Sequence, residues 1–331
     1  MSGVALVAGA SRGLGLLISS ELVDRGYRVH GCARDRAELD RAEAIVNSGD
    51  VGPSIEAKDR PGGGRGEFIG HVCDVADAEA VAEWVANVRS AEGSVDVAIH
   101  VAGIIQVGPV ESTSLGHFRA AIDTMLLGPV HLCLSVLPTM LEAGSGRIGV
   151  VSSVGGVVSV PHLLPYSVAK FGAVGLSEGL QAELSGTGVT ATTIVPGLMR
   201  TGGHLHAQFV GDAPKDYAWF STGASLPLLS ISAERAARRI VDAVLAGRSQ
   251  VELTPLTWVG RRVHGVAPGP TSRVLGLVAR ALPRTSADGP SMGDATAHVS
   301  GADARRALGS RVVNTLSTLG DRAARRLNET R

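Results

Sequence analysis

The stretch PYSVAKFG, residues 165–172, places Tyr166 and Lys170 four positions apart. On a helix that spacing puts both side chains on one face, about a turn from each other. Lysine is scarce in this chain: there are three, against 28 arginines. A neighbouring ammonium favours the ionised form of a phenol, and a phenol shifted toward neutrality can donate or accept a proton at a carbonyl. The compact ammonium can also donate to ribose hydroxyls with a geometry that a broad guanidinium does not share. Tyr-x-x-x-Lys by itself is common on solvated helices, so its neighbours decide the reading. Ser153 lies thirteen residues earlier at the end of an apolar run, close enough for the chain to loop back and bring its hydroxyl to a substrate oxygen.

A second constellation stands near the start. GASRGLG, comprising Gly9, Ser11, Arg12, Gly13, Leu14 and Gly15, links an apolar strand-like run to a helical pattern. Glycines there let the backbone turn sharply and approach a pyrophosphate, whose charge meets the amides at a helix start. The end of the next strand selects between dinucleotides: an acidic residue suits a free ribose hydroxyl and repels a 2′-phosphate. Here the position is Ala33, followed by Arg34, with Arg12 in the loop. Two guanidiniums suit a phosphate, so NADP(H) is favoured and NAD(H) stays open as the alternative, since Asp35 follows directly. Asp74 and Val75, after the third strand, are placed to meet an adenine edge, unless Asp74 merely caps the next helix.

These residues need a scaffold, and the pattern supplies one. Strand-like runs over 4–9, 27–33, 68–74, 95–103, 147–153, 189–197 and 250–255 alternate with helical runs that include 14–25, 36–46, 78–91 and 232–246. Such alternation predicts an α/β fold, a doubly wound parallel sheet of seven strands with helices on both faces. Residues 47–66, rich in Gly and Pro, read as a mobile surface excursion. Residues 198–231 leave the sixth strand at the carboxyl end of the sheet, where ligands bind.

With order and spacing established, the chain resembles the short-chain dehydrogenase/reductase family over roughly residues 2–255. The matching pieces are Gly9-x-x-x-Gly13-x-Gly15, Asp74-Val75, Ala102-Gly103, Ser153, Tyr166-x-x-x-Lys170, and Pro196-Gly197 with Thr201. The resemblance implies a Rossmann fold, hydride transfer between nicotinamide and an alcohol or ketone, and a homo-oligomer, dimer or tetramer. It also implies that Tyr166 is the acid/base, Lys170 lowers its pKa and holds the ribose, Ser153 orients the carbonyl, and Thr201 contacts the carboxamide.

Three positions depart from the family pattern. Ala8 replaces a threonine, His100-Val101 replaces a pair of asparagines, and Met125 replaces the asparagine that links the lysine to solvent through a water. A thioether accepts weakly and donates nothing. Three outcomes are open: Thr124 or a backbone carbonyl holds that water instead, turnover is slowed, or the chemistry is lost. His100 reads as a satisfied core histidine. With Ser153, Tyr166 and Lys170 intact an active enzyme is favoured; the alternative is an NADP(H)-binding scaffold or redox sensor.

The apolar stretch 154–165, together with Leu163, Met199, Phe209, Trp219 and Phe220, predicts a hydrophobic pocket and a bulky lipophilic carbonyl or alcohol as substrate. His162 there reads as an exposed loop histidine within reach of a substrate oxygen. Residues 256–331 carry twelve arginines against five acids, +7 in a chain of zero net charge. This mostly helical extension, with helical patterns at 271–282 and 302–328, is expected to pack on the core or on a partner. Contact with a membrane surface is less favoured, and nucleic acid is not expected. Three scattered cysteines and no metal-like spacing indicate a reducing cytoplasm and no metal. No apolar run reads as long enough to span a membrane.

Overall fold

In the computed structural model, which describes residues 3–51, 64–225, 230–284 and 297–329, a central sheet carries every site element. Its strands are β1 (Val4–Ala8), β2 (Arg28–Ala33), β3 (Glu67–Val72), β4 (Val97–His100), β6 (Gly146–Val151), β7 (Val189–Val195) and β11 (Gln250–Glu252), with the short β5 (Gln106–Val107) lying outside it. Their order is β11-β7-β6-β4-β1-β2-β3, and every pairing is parallel. The strand order reverses between β1 and β4, which opens a crevice at their carboxyl ends. All five residues of β1 are buried, as expected of a strand covered on both faces.

The helices form where the sequence supplies both an apolar stripe and a cap. Asp35 caps α2 (Arg36–Ser48) and Asp77 caps α3 (Ala78–Glu92), each accepting from amides of the first turn. Ser232 caps α8 (Ala233–Leu245), whose Ala236, Ile240, Val241 and Val244 are buried with Leu14, Leu17 and Ile18 of α1 (Gly13–Asp24) in one core. The opposite face is covered by α3 and by α5 (Gly128–Ala143), which bury Trp84, Val85, Leu132, Cys133 and Val136. The expectation about apolar runs fails at Leu115–Ala143, 29 residues long and apolar enough by length and composition to cross a bilayer. Its buried residues instead pack as those of a core helix.

This run is α4 (Leu115–Ile122) followed by α5, joined by a π-helical turn at Asp123–Leu127 that contains Met125. Next come α6 (Leu164–Glu183), then β8 (Leu198–Arg200), β9 (Gln208–Phe209), α7 (Ala213–Ser225) and β10 (Ser230–Ser232). The segment that leaves the sixth strand therefore holds, among its described residues, one α-helix and three short strands. Beyond β11 lie α9 (Pro255–Val266), α10 (Pro268–Ala281), β12 (Val299–Ser300), α11 (Gly301–Leu308), α12 (Arg311–Leu316) and α13 (Thr318–Arg326). The single helical pattern expected over 302–328 is three helices. Gly309 adopts a left-handed conformation (φ +58°) that ends α11, and Ser310 caps α12. Most of the excursion expected at 47–66 lies outside the described residues.

The last segment returns to the sheet's functional edge. β12 pairs antiparallel with β9, which also pairs with β5, so residues 297–308 are stitched to the loops around the crevice. In contrast, α9 and α10 keep Trp258, Val263, Val266, Val274 and Leu277 exposed.

Candidate active site

The crevice is floored by the glycine loop. A Cβ on Gly9 would lie 2.6 Å from the backbone of Ala102, and one on Gly15 would lie 1.9 Å from the Gly9 carbonyl. Close approach of the strand end, the loop and the helix start therefore requires glycine at both positions. The same contact brings Ala102 against the loop, although it lies 93 residues beyond Gly9 in sequence. Gly103 in turn faces Lys170: a Cβ there would lie 3.8 Å from Nζ and 3.2 Å from the Met125 sulfur.

Ser153, Tyr166 and Lys170 meet where β6 ends and α6 begins. The Ser153 hydroxyl is hydrogen-bonded to the Tyr166 phenol and accepts from the Gly155 amide at 3.1 Å. Lys170 Nζ donates to the Val151 carbonyl at 2.7 Å and sits 5.8 Å from the Tyr166 ring centroid. The Ser152 hydroxyl ties the backbone of Lys170 to the strand at 2.8 Å. Burial pushes the Lys170 ammonium down to about 7 and the Tyr166 phenol above its ordinary value, the Ser153 hydrogen bond opposing the latter. Burial thus outweighs the stabilisation of phenolate expected from the ammonium. Burial thereby favours the protonated phenol.

Met125 is buried beside these groups with Ile104, Ala121, Ala169 and the Tyr166 ring. Its role is to fill an apolar wall. Met125→Leu should leave kcat within about twofold and stability within about 1.5 kcal/mol, measured by steady-state turnover and thermal melting. His100 is buried as expected, but it is not fully satisfied. Its Nε2 has no hydrogen-bond partner among the described residues and faces Gly128, where a Cβ would lie 2.8 Å away. Burial, then the Lys170 charge, lowers this imidazole to about 3, so it stays neutral.

The expected nucleotide contacts are distributed unevenly. Ser11 donates to Glu38 at 3.1 Å, and Arg12 donates to the same carboxylate at 2.8 Å. Arg34 is two-thirds exposed and lies 3.9 Å from Asp74. Asp35 is engaged in capping α2, with its Oδ1 accepting from the Glu38 amide. Asp74 accepts from the Ala76 amide, but the cap of α3 is Asp77. Val75 is buried and its carbonyl meets His131 at 3.0 Å. Pro196 accepts from the Val154 amide at 2.7 Å, and Gly197 packs on Thr254, which a Cβ would crowd to 2.4 Å. Thr201 turns its hydroxyl to the Gly203 amide, and its Cβ lies 3.9 Å from where a Cβ on Gly13 would be.

A profile of the short chain dehydrogenase family matches residues 3–207 of this chain. The chain belongs to that family. A D-threitol dehydrogenase of Mycolicibacterium smegmatis is 34% identical over 198 residues, covering 60% of this chain and 70% of that protein. A putative ketoacyl reductase of Streptomyces coelicolor is 35% identical over 202 residues, covering 60% of this chain and 72% of that one. Among solved structures, an actinorhodin polyketide ketoreductase variant with NADPH superposes with a TM-score of 0.64 at 26% identity, over 77% of this chain and 97% of that one. The chain is therefore an oxidoreductase of the short-chain dehydrogenase family with the family's doubly wound sheet.

The residues expected to line the dehydrogenase's substrate pocket separate into three groups. Leu163, Phe209, Phe220 and Trp219 cluster with Tyr217 and Tyr166, and α11 and α12 add Ala304, Leu308 and Val313 to that cluster. Met199 packs instead on the core beneath the sheet's other face. His162 is not exposed: it adopts φ +62° and its Nδ1 lies 3.0 Å from Asp216 Oδ1, which also accepts from Trp219 at 3.2 Å. Asp216 is fully buried. Sequence reasoning missed Glu38, Asp216 and the residues of the last helix, because each meets the site across a long sequence separation and none belongs to a motif.

Proposed function

We propose that this dehydrogenase is an NADP(H)-dependent ketoreductase or alcohol dehydrogenase acting on a bulky hydrophobic carbonyl or alcohol. The observation that carries the reading is the packing of Tyr166, beside Ser153 and Lys170, against the apolar cluster of Leu163, Phe209, Phe220 and Trp219. The names of the ketoacyl reductase and polyketide ketoreductase relatives favour a lipophilic ketone. A threitol dehydrogenase is named for a small polyol, which an aromatic cluster does not suit.

The glycine loop fits a dinucleotide, since glycine at 9 and 15 lets the loop, the end of β4 and the start of α1 approach closely enough to present backbone amides to a diphosphate. Gly9–Gly15 with the start of α1, Arg34, Asp74, Val75, Ala102, Gly103, Pro196, Gly197 and Thr201 would hold it. The nicotinamide ring, when bound, exchanges a hydride with the substrate carbon. Tyr166 Oη gives its proton to the substrate oxygen, while the Ser153 hydroxyl aligns that oxygen. Lys170 holds ribose hydroxyls and restores charge balance around the phenol. The aromatic cluster excludes water from the reacting carbon.

Arg34 supports the preference for NADP(H), because it is exposed and only loosely paired, whereas Arg12 is shared with Glu38. Arg34→Glu is expected to raise KM for NADPH by about tenfold or more and to leave KM for NADH nearly unchanged, as read by initial rates with each dinucleotide. The reading as a whole is tested by following loss of NADPH absorbance across a panel of lipophilic ketones and small polyol-derived ketones. Turnover confined to the polyol-derived substrates would overturn the substrate class. We also read 1–255 as the catalytic unit and 256–331 as an extension, in a cytoplasmic homo-oligomer. Exposed Leu134, Val168 and Phe171 on α5 and α6 favour association.

A further inference from the structure

The segment that follows α13 lies on the glycine loop. The Leu327 carbonyl accepts from the Gly13 amide at 2.9 Å. Asn328 Nδ2 donates to the carbonyls of Ser11 at 2.8 Å and Glu38 at 3.1 Å, and its Oδ1 accepts from Arg41 Nε at 3.0 Å. Glu329 is buried, with Oε1 2.6 Å from where a Cβ on Gly13 would stand. Its Oε2 is 3.6 Å from Arg12 Nε and 3.1 Å from His206 Nε2, and that same ring nitrogen meets the Glu329 carbonyl at 2.8 Å. Among the described residues no hydrogen bond is aligned on Oε2 itself. The carboxylate therefore sits against the start of α1, which would meet a diphosphate, with Thr201 nearby.

The chemistry of this contact is that of a backbone carbonyl on a helix start, with a buried carboxyl beside it. The Gly13 amide and the nearby Arg12 guanidinium suit a phosphate, and here the Leu327 carbonyl takes that amide while the buried Glu329 carboxyl fills the space beside it. We propose that Leu327–Glu329 is a built-in competitor for the dinucleotide, occupying the diphosphate cradle and leaving it when the cofactor binds. The proposal rests on the dinucleotide reading above. The two occupants cannot share the Gly13 amide, and there is no room for both beside a residue that only glycine can be.

The hold is local and partial, as a displaceable contact must be. Asn328 is in the left-handed region (φ +57°), which asparagine tolerates better than most residues. Departure of the segment would also loosen α13, whose Ala324 packs on Gly202 so tightly that a Cβ there would lie 2.4 Å from it. Asp321 on the same helix pairs with His204 at 3.2 Å, so cofactor entry would be felt by the loop between β8 and β9.

Docking should depend on pH. Burial raises the Glu329 carboxyl to about 7 from an ordinary 4.5, with Arg12 opposing and Glu38 adding to the rise. The charged and titratable groups that face the segment are Arg12 from the loop, Glu38 and Arg41 from α2, and His206 from the stretch before β9. The docked state holds the proton more tightly, so docking is strongest below about 4.5 and weakens as pH rises through about 7.

The test uses the full chain, with NADPH fluorescence titration of the wild type, the double variant Asn328→Ala/Glu329→Ala, and Glu329→Gln. The double variant is expected to bind about tenfold more tightly, because its cradle is not already taken. Wild-type affinity should rise between about pH 5 and 8 relative to Glu329→Gln, whose docking does not titrate. Hydrogen exchange supplies a readout independent of affinity: saturating NADP⁺ should speed exchange across residues 318–329 and slow it at Gly13. Equal affinities, with 318–329 more protected when NADP⁺ is bound, would sink the competitor and place the segment beside the cofactor. Failure of the wild type and both variants to bind NADP(H) or NAD(H) would instead overturn the dinucleotide reading, and this inference with it.

Discussion

Tyr166→Phe is expected to lower kcat for ketone reduction by about a thousandfold while leaving the dissociation constant for NADPH within about threefold. The phenylalanine ring keeps the packing against Leu163, Ala169 and Met125, because those contacts are made by ring carbons. What is removed is the hydroxyl alone. In the proposed mechanism its proton is the one that reaches the substrate oxygen: the Ser153 hydroxyl, which accepts from the Gly155 amide, is a far weaker acid and aligns that oxygen, and Lys170 Nζ donates to the Val151 carbonyl. Single-turnover rates and NADPH titration on the same preparation separate the two effects. A loss of less than about tenfold would show that the proton comes from elsewhere, because a positioned general acid contributes at least about a hundredfold. The phenol's raised pKa gives a second signature. An acid kept protonated by burial keeps reduction going to higher pH than free tyrosine would, so the alkaline limb should lie above the ordinary phenol value and vanish in the variant.

Much of this site was legible in the sequence because the contacts are local or enforced by a repeating fold. Tyr166 and Lys170 share a helix face, and strand-then-glycine at Val4–Gly15 has one common outcome in a parallel sheet. The sheet itself was readable since each strand is an apolar run with helices between. The chain was less legible where partners are remote. Glu38 reaches Ser11 and Arg12 from the first turn of α2, yet its sequence context is that of any charged helix start. His162 reads as an exposed loop residue, and only the fold of α7 brings Asp216 to it. The break of the final helix was signalled: Gly309 followed by Ser310 is a helix stop followed by a cap, a signal weaker than the apolar spacing around it. Leu327–Glu329 carries no motif at all. Its contact with Gly13 spans more than three hundred residues and depends on α13 being laid across Gly202.

Lys170→Met should abolish turnover, by about a thousandfold or more, and at the same time make the protein more stable at neutral pH. The two effects share one cause. Lys170 is buried, and Nζ has one hydrogen-bond acceptor among the described residues, the Val151 carbonyl, with no carboxylate paired to it. A lone ammonium in such a place costs stability that a methionine of similar length does not. The pH dependence fixes the sign. Burial lowers this ammonium to about 7 from an ordinary 10.5, so below about 7 it is charged in both folded and unfolded chains and the full cost is present. Above about 10.5 it is neutral in both and the cost is gone. Between those values the wild type gains stability with rising pH and the methionine variant does not. The melting temperature of the variant should therefore exceed that of the wild type by about 3 °C or more at pH 7, the gap closing toward pH 10. A variant that is less stable than the wild type at pH 7 would mean that the ammonium is held by more than Val151. Arginine at this position is the sharper control: it keeps its charge at every accessible pH and overfills the space beside Gly103 and Met125. Lys170→Arg should accordingly lose activity without gaining stability, which separates the presence of charge from the compact ammonium that this site is built around.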